Sequence, residues 1–382
     1  MPYNQKNFPT VGVIGGGQLA RMMVAPAIAL GINLKVFAQS KDDSAAQICD
    51  HTIGDYKDIS SLINFAKSCQ VITFEHELVP PDVLLELEKA LTKLDINMFP
   101  SAKTFLHSQD KLHMRSEFEK LNIAAPRWTN YPNDEISKFS FPLIAKSPTG
   151  GYDGRGVWQV DNLAELIDLY NENGKKELLI EEKVDFSCEI SVLVARSPHN
   201  QATVWSPTLS VQKDGICVQT ITPAPDISDE LRTGAQQIAL KIAGHIELVG
   251  VMAVEIFVVN SRLLINEIAL RPHNSGHWSI EGSVTSQFEQ HLRAVLDLPL
   301  GDTTMIAPWA VMGNLIGGSA TDMYWPYLHL FAHTPRLKVH QYRKEIKLGR
   351  KVGHVTAIGS DLAKIKESIE HAVDFFNGRL NE

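Results

Sequence analysis

VMAVEIFVV, ending at Val259, and RLLINEIAL, beginning at Arg262, are two apolar, β-prone runs with almost no chain between them. Such runs read as strands, and so short a connection folds them back as an antiparallel hairpin. With Asn260, Ser261 and Arg262 as the loop, Glu255 falls directly opposite Glu267 and both carboxylates share one face. Like charges so placed repel, and a pair of them in apolar strands makes most sense with a cation between them. Two hard oxygen ligands together with nucleotide phosphates suit Mg²⁺. Two unconnected glutamates on a solvated strand face are the plainer alternative.

A second feature favours the nucleotide reading. TGGYDGRG, from Thr149 to Gly156, has four glycines in eight residues and follows an apolar strand, Phe141 to Lys146. A loop of this kind can fold over phosphates with its backbone N–H groups, and Lys146 brings a point charge to the same anions. An ordinary hairpin tip needs only TGG or DG, so Tyr152, Asp153 and Arg155 would be unexpected there. Leu179 to Val184 runs from an apolar strand into charge through Glu181, Glu182 and Lys183. Such a strand and linker can hydrogen-bond an adenine edge while a carboxylate takes ribose hydroxyls, although strand ends are commonly charged for no special reason.

Downstream of Glu267, ALRPHNSGHW places Arg271 and His273 close to the proposed metal ligand, where an anionic intermediate needs stabilising. His273 and His277 have a spacing that zinc can use, but no third ligand lies at helical spacing. Near the N-terminus, GGGQLA (Gly15 to Ala20) fits a dinucleotide turn, where a helix N-terminus meets an anion. The second strand of that unit ends in Gln39 and Ser40 rather than an acid, which disfavours NAD. Arg343, Lys344, Lys347, Arg350 and Lys351 put five cations in nine residues, either a solvated face or a phosphate clamp.

The 382 residues should divide into two or three domains. Strands at Val11 to Ile14, Leu34 to Ala38 and Val71 to Phe74, with a helix from Pro80 to Leu94, predict a βαβ domain closing near Pro100. A helix-forming stretch follows from Ser101. Leu178 to Glu182, Glu189 to Ala195, Ala202 to Val211 and the hairpin then alternate like an antiparallel sheet. Leu298 to Pro308 reads as a linker to a small C-terminal domain. The expected fold is therefore α/β and α+β, with domains over 1–100, 101–298 and 299–382.

An excess of 44 acidic over 36 basic side chains, a net charge of -8, argues against nucleic acid as a partner. Four cysteines without CxxC spacing point to neither a zinc site nor a disulfide framework. The absence of an apolar signal core, or of any run of roughly 20 apolar residues, predicts a soluble cytoplasmic protein away from membranes.

From GGGQLARM through TGGYDGRG, LLINEIALRPHNSGHW and SQFEQHLRAV to GRKVGH, the chain resembles the 5-(carboxyamino)imidazole ribonucleotide synthases, ATP-grasp ligases of bacterial and fungal purine biosynthesis. The resemblance implies an ATP-grasp architecture with an N-terminal Rossmann-like domain. It also implies ATP-dependent carboxylation of 5-aminoimidazole ribonucleotide by bicarbonate, by way of carboxyphosphate, with two magnesium ions and a homodimer. Carried over by position, Lys111, Lys146, the loop Gly151, Tyr152, Asp153, Gly154, Arg155, Gly156 and Val157, then Glu181, Glu182, Lys183, Val184, Glu189, Gln212, Asn266 and Glu267 would contact nucleotide. Glu255 and Glu267 would hold metal. Gln18, Glu75, Tyr152, Asp153, Arg155, Lys344, Arg350 and Lys351 would surround the ribonucleotide, while Arg155, Arg271 and His273 would serve bicarbonate and carboxyphosphate.

Lys111, Ala20, Val157 and Leu270 depart from the family pattern, where arginine, glycine, glutamine and proline are expected. The alternatives are another ATP-grasp ligase, acting on biotin, formate or D-alanine, and a non-catalytic nucleotide-binding homologue. Intact Glu255, Glu267 and Arg271 argue against the latter.

Overall fold

The computed structural model describes residues 8–150, 156–213, 215–318 and 322–380. Apolar runs near the N-terminus become parallel strands: β1 (Thr10–Ile14), β2 (Asn33–Ala38), β3 (Asp50–Ile53), β4 (Val71–Phe74) and β5 (Asn97–Met98), in the order β3-β2-β1-β4-β5. β4 is buried along its whole length because helices cover both faces of such a sheet, whereas β3, at the edge, is fully exposed. The helix expected from Pro80 runs Pro81–Thr92, with Pro80 before its first turn, where the missing N–H is harmless. β2 and β4 flank β1 on opposite sides, so a crevice opens at the carboxyl ends of β1 and β4.

Next come β6 (Trp128–Tyr131), β7 (Leu143–Lys146), β8 (Val157–Val160) and β9 (Leu178–Glu182), an antiparallel sheet in the order β6-β9-β7-β8. β7 starts two residues later than the apolar run suggested, and it ends at Lys146 as expected. Ser147 N–H donates to the Gly156 carbonyl at 2.8 Å and closes the base of the glycine-rich loop. Gly151, Tyr152, Asp153, Gly154 and Arg155 lie outside the described residues.

The large sheet holds β10 (Cys188–Arg196), β11 (Ala202–Val204), β12 (Thr208–Lys213), β13 (Ile216–Thr222), β14 (Gly250–Val259), β15 (Arg262–Ala269), β16 (Trp309–Ile316), β17 (Lys338–Gln341) and β18 (Lys351–Gly359). Its order is β15-β14-β10-β12-β13-β16-β18-β17, with β11 pairing β10. The single strand expected from Ala202 to Val211 is two strands. The chain breaks at Trp205, whose ring is fully buried, and at Pro207, which has no N–H for a ladder. The residues after 299 do not form a sheet of their own, because β16 pairs antiparallel with β13 and continues the central one. The linker is also fastened, since Gln290 exchanges two 2.8 Å hydrogen bonds with the backbone of Gly301.

Candidate active site

The carboxylate hairpin turns more tightly than its sequence suggested. Val259 pairs with Arg262, so only Asn260 and Ser261 form the turn, both at positive φ (48° and 59°), as a two-residue hairpin requires. Continued regularly, that register would set Asn266 opposite Glu255 and send Glu267 to the far face. A bulge at Asn266 restores the pairing of Glu255 with Glu267 and leaves Asn266 as the extra residue. The expected juxtaposition is correct, and the three-residue loop is replaced by a two-residue turn plus a bulge.

Cations reach this face from two other elements. Lys111, opening the helix Lys111–Lys120, lies 2.9 Å from Glu267 Oε2. Lys146, at the end of β7, donates to Asn266 Oδ1 at 3.0 Å and pairs with Glu181 Oε2 at 2.7 Å. Glu181 is 2% exposed, and Arg115 Nε donates to its other oxygen at 2.5 Å. Glu181 is thus a buried anchor for Lys146 rather than a carboxylate offered to a ribose. Burial alone would raise its carboxyl, but Arg115 and Lys146 hold it below the usual range. Glu182 pairs with Arg127 at 3.1 Å, Lys183 is exposed and Val184 is half-buried.

Across the sheet, Ser191 on β10 lies opposite Glu255, and Glu189 faces Phe257. Glu189, Glu255 and Glu267 therefore crowd one face. Burial pushes Glu189 up to about 7, with Glu267 adding to the effect. Burial and the same neighbour push Glu255 well above the carboxylate range. Burial opposes ionisation of Glu267 too, yet Lys111 and Lys146 bring it down to about 2. Its side chain keeps 42% of its surface open, so solvent screens part of that effect. Three carboxylates on one face, with Lys111 and Lys146 acting mainly on Glu267, leave a local excess of potential negative charge. No preformed cage of three or more His, Cys, Asp or Glu exists among the described residues, as fits an ion that takes the rest of its ligands from phosphates and water.

Phe186 stacks on Phe257 with ring centroids 4.6 Å apart, a plate beside Glu255 that the motifs did not reveal. Gln212, exposed at the end of β12, donates to Ser210 Oγ at 2.9 Å, and Ser210 is the β-partner of Glu189.

After β15 the chain leads His273 back to the carboxylates, while Arg271 Nε donates to Glu77 Oε2 at 2.7 Å. His273 Nε2 lies 3.6 Å from Glu255 Oε1, while its Nδ1 is 2.8 Å from Ser275 Oγ, which in turn meets Ser191 Oγ at 2.7 Å. Asn274 and Asn314 exchange two amide hydrogen bonds, tying this loop to β16. His277 is fully buried against the His354 ring, and burial, with His273 and His340 close by, holds it neutral. It is a structural histidine rather than a cation of the site.

The GGGQLA turn serves a different purpose from the one its pattern suggests. Glu75, just past β4, accepts hydrogen bonds from the N–H groups of Gly17, Leu19 and Ala20 at the start of the helix Gln18–Leu30. A Cβ on Gly15 or Gly17 would collide with the Glu75 side chain, and Gly15 has φ +118°. The glycines make room for a carboxylate of the protein, which fills the position a dinucleotide pyrophosphate would need.

Above this turn lies a cleft of about 410 Å³, where Arg343, Lys344 and Arg350 face the acidic Asp42, Asp43, Glu75 and Glu345, with Tyr56 and His76 beside them. Lys344 donates to Gln18 Oε1. The five-cation cluster therefore divides. Arg343, Lys344 and Arg350 face the cleft, Lys347 pairs with Glu345 at 2.8 Å, and Lys351 acts electrostatically on Glu255 and His277.

Three family models match in tandem: a ribonucleotide synthetase preATP-grasp domain over 8–109, an ATP-grasp domain over 116–288 and a phosphoribosylaminoimidazole carboxylase C-terminal domain over 310–368. The N5-carboxyaminoimidazole ribonucleotide synthase of Mycobacterium tuberculosis is 44% identical over 381 residues, covering 97% of this chain and 88% of the relative. The chain belongs to the N5-carboxyaminoimidazole ribonucleotide synthase family. A synthase of this family from Corynebacterium ammoniagenes is 40% identical, with 96% of this chain and 92% of the relative covered. Among solved structures, the Thermus thermophilus synthetase superimposes with a TM-score of 0.87 at 30% identity, covering 97% of this chain and 99% of the other. The Aspergillus clavatus synthase in complex with ADP and 5-aminoimidazole ribonucleotide gives 0.88 at 29%, covering 98% and 100%.

Proposed function

We propose that this chain carboxylates 5-aminoimidazole ribonucleotide with bicarbonate at the expense of ATP. The observation that carries the reading is the presence of two separate charged sites. One is the carboxylate hairpin, where Lys111 and Lys146 act on Glu267, and the other is a cleft beside Glu75 to which Arg343, Lys344 and Arg350 contribute.

In this reading Lys111, Lys146 and Asn266 hold the nucleotide phosphates together with residues of the glycine-rich loop, and the Phe186–Phe257 plate lies toward the base. Glu255 and Glu267 would hold Mg²⁺, which supplies charge neutralisation to the phosphates. Bicarbonate oxygen attacks the γ-phosphoryl group and ADP leaves. Carboxyphosphate then divides into CO₂ and phosphate, and the aminoimidazole nitrogen bonds the CO₂ carbon and loses a proton, giving a carbamate. Arg271 and His273 stabilise the carboxyphosphate charge, and Arg155 joins them from the loop. Gln18, Glu75, Tyr152, Asp153, Lys344, Arg350 and Lys351 position the ribonucleotide.

The segments 1–100, 101–298 and 299–382 would divide these tasks as ribonucleotide cradle, nucleotide site and clamp. A homodimer in the cytoplasm is proposed with them on the family resemblance. No helix among the described residues is long and apolar enough to cross a membrane. Phosphate release measured with each acceptor in turn tests the reading. Turnover should depend strongly on aminoimidazole ribonucleotide and consume bicarbonate, and equal turnover with biotin or D-alanine would overturn it.

A further inference from the structure

Glu77 lies two residues beyond Glu75 on the extension of β4, and its two oxygens hold consecutive residues of another domain. Oε1 accepts the Leu270 N–H at 3.1 Å, and Oε2 accepts the Arg271 Nε–H at 2.7 Å. Both side chains of the ion pair are about four-fifths buried, at 19% and 21% exposure. Glu77 is itself fixed, because Gln109 Nε2 donates to its carbonyl at 2.9 Å and to that of Val79 at 2.7 Å.

Thr73 lies on β4, and Glu75 and Glu77 lie at bends just past its end. Each meets a different partner: Thr73 Oγ1 the ring of His291 at 2.8 Å, Glu75 the helix turn under the cleft, and Glu77 the exit of β15. One short segment thus contacts both the cleft and the arginine that follows β15. Leu270 matters here because its N–H gives Glu77 a backbone anchor beside the arginine.

We propose that Glu77 is a positioning residue that sets the Arg271 guanidinium in line with the ribonucleotide cleft, so that carboxyl donor and amine acceptor meet in register. Arginine has several rotatable bonds, and a charge-assisted bond at Nε fixes the plane of its fork. A misplaced guanidinium weakens the hold on bicarbonate and lets activated carboxylate escape before capture. The inference rests on the carboxylation reading above.

The test is steady-state kinetics of full-length Glu77→Gln, with ADP and carboxylated product counted separately. Glutamine keeps an acceptor for the Leu270 N–H and removes the charge facing Arg271. The bicarbonate KM should rise about tenfold, as loss of one charge-assisted bond implies. KM values for ATP and aminoimidazole ribonucleotide should stay within about twofold, and more than one ADP should form per product. In an Arg271→Lys background, which lacks Nε, Glu77→Gln should change little further. The inference is overturned if the bicarbonate KM and the ADP-to-product ratio stay unchanged, if all three KM values rise together, or if the effect persists undiminished beside Arg271→Lys. Failure of the functional reading shows differently: wild-type ATP turnover would then be indifferent to aminoimidazole ribonucleotide, and the inference would fall with it.

Discussion

Glu255 and Glu267 share one rung of the β14–β15 ladder because Asn266 bulges out beside them. Glu267 is the carboxylate whose ionisation Lys111 and Lys146 favour, and Glu255 is the one that burial and the charge of Glu267 push above the carboxylate range. Replacing Glu267 by Gln should lower kcat by about 10² or more, the scale set by removing one electrostatic contact to a transferring phosphoryl group. The thermal midpoint should change little, because removing a negative charge also relieves the repulsion with Glu255. A phosphate-release assay beside a melting curve measures both, and an unchanged rate would remove Glu267 from the site.

Arg115 and Glu181 are 0% and 2% exposed, and neither has solvent to turn to. Arg115→Met leaves the Glu181 carboxylate with Lys146 alone, and breaking a buried pair from one side costs about 3–5 kcal/mol. Urea unfolding should show that loss. Arg115→Met combined with Glu181→Gln should recover part of it, since the neutral amide leaves no carboxylate buried without its arginine and still offers an oxygen to Lys146. A loss under about 1 kcal/mol in the single variant would contradict the pairing.

Glu75 has a structural task that can be separated from its position in the cleft. Glu75→Ala leaves three N–H groups at a helix N-terminus without their acceptor, at a cost of about 1–2 kcal/mol. Glu75→Gln should lose less stability, because the amide oxygen still accepts, while the KM for the ribonucleotide rises in both variants. Equal stability of wild type and Glu75→Ala in chemical denaturation would rule out the capping role.

His291 gives the stability a pH dependence. Its Nδ1 accepts the Val251 N–H at 3.1 Å, so Nε2 carries the proton toward Thr73 Oγ1, and burial lowers its pKa to about 3. An unfolded histidine titrates near 6.5, so between about 6.5 and 3 the unfolded chain binds a proton that the folded chain refuses. The stability is fully present above pH 6.5 and declines as the pH falls, by about 1.4 kcal/mol per unit for this one group. His277 and His354 act in the same direction. Comparing unfolding free energies at pH 7 and pH 5 for wild type and His291→Gln isolates the His291 share, about 2 kcal/mol. Parallel pH profiles would contradict it.

The strands were legible because buried runs such as Val71–Phe74 are continuously apolar, and the helix at Pro81 because proline marks a first turn. The carboxylate pair was legible by a compensation of errors: an assumed third loop residue shifts the register by one, as the bulge at Asn266 does. Asn-Ser is a weak turn signal beside Asn-Gly, since serine at positive φ is uncommon, so the tight turn left little trace in the sequence. Arg115, Glu77, Phe186 and Tyr56 escaped notice because their partners lie on other elements, and nothing in local spacing marks a contact that only tertiary folding creates. The glycine turn misled for the opposite reason. Its pattern records close approach to an anion, and the anion here is Glu75.

The pairing of β16 with β13 has a consequence for how the chain is made. As the polypeptide leaves the ribosome, β13 emerges with β12 on one side and nothing on the other, and it waits for Trp309 and beyond to be synthesised. At about 5–20 residues per second that interval is on the order of ten seconds, during which an open strand edge can capture a strand from another nascent chain. Fragments that stop short of Trp309 should therefore aggregate even though they contain every residue of the carboxylate hairpin.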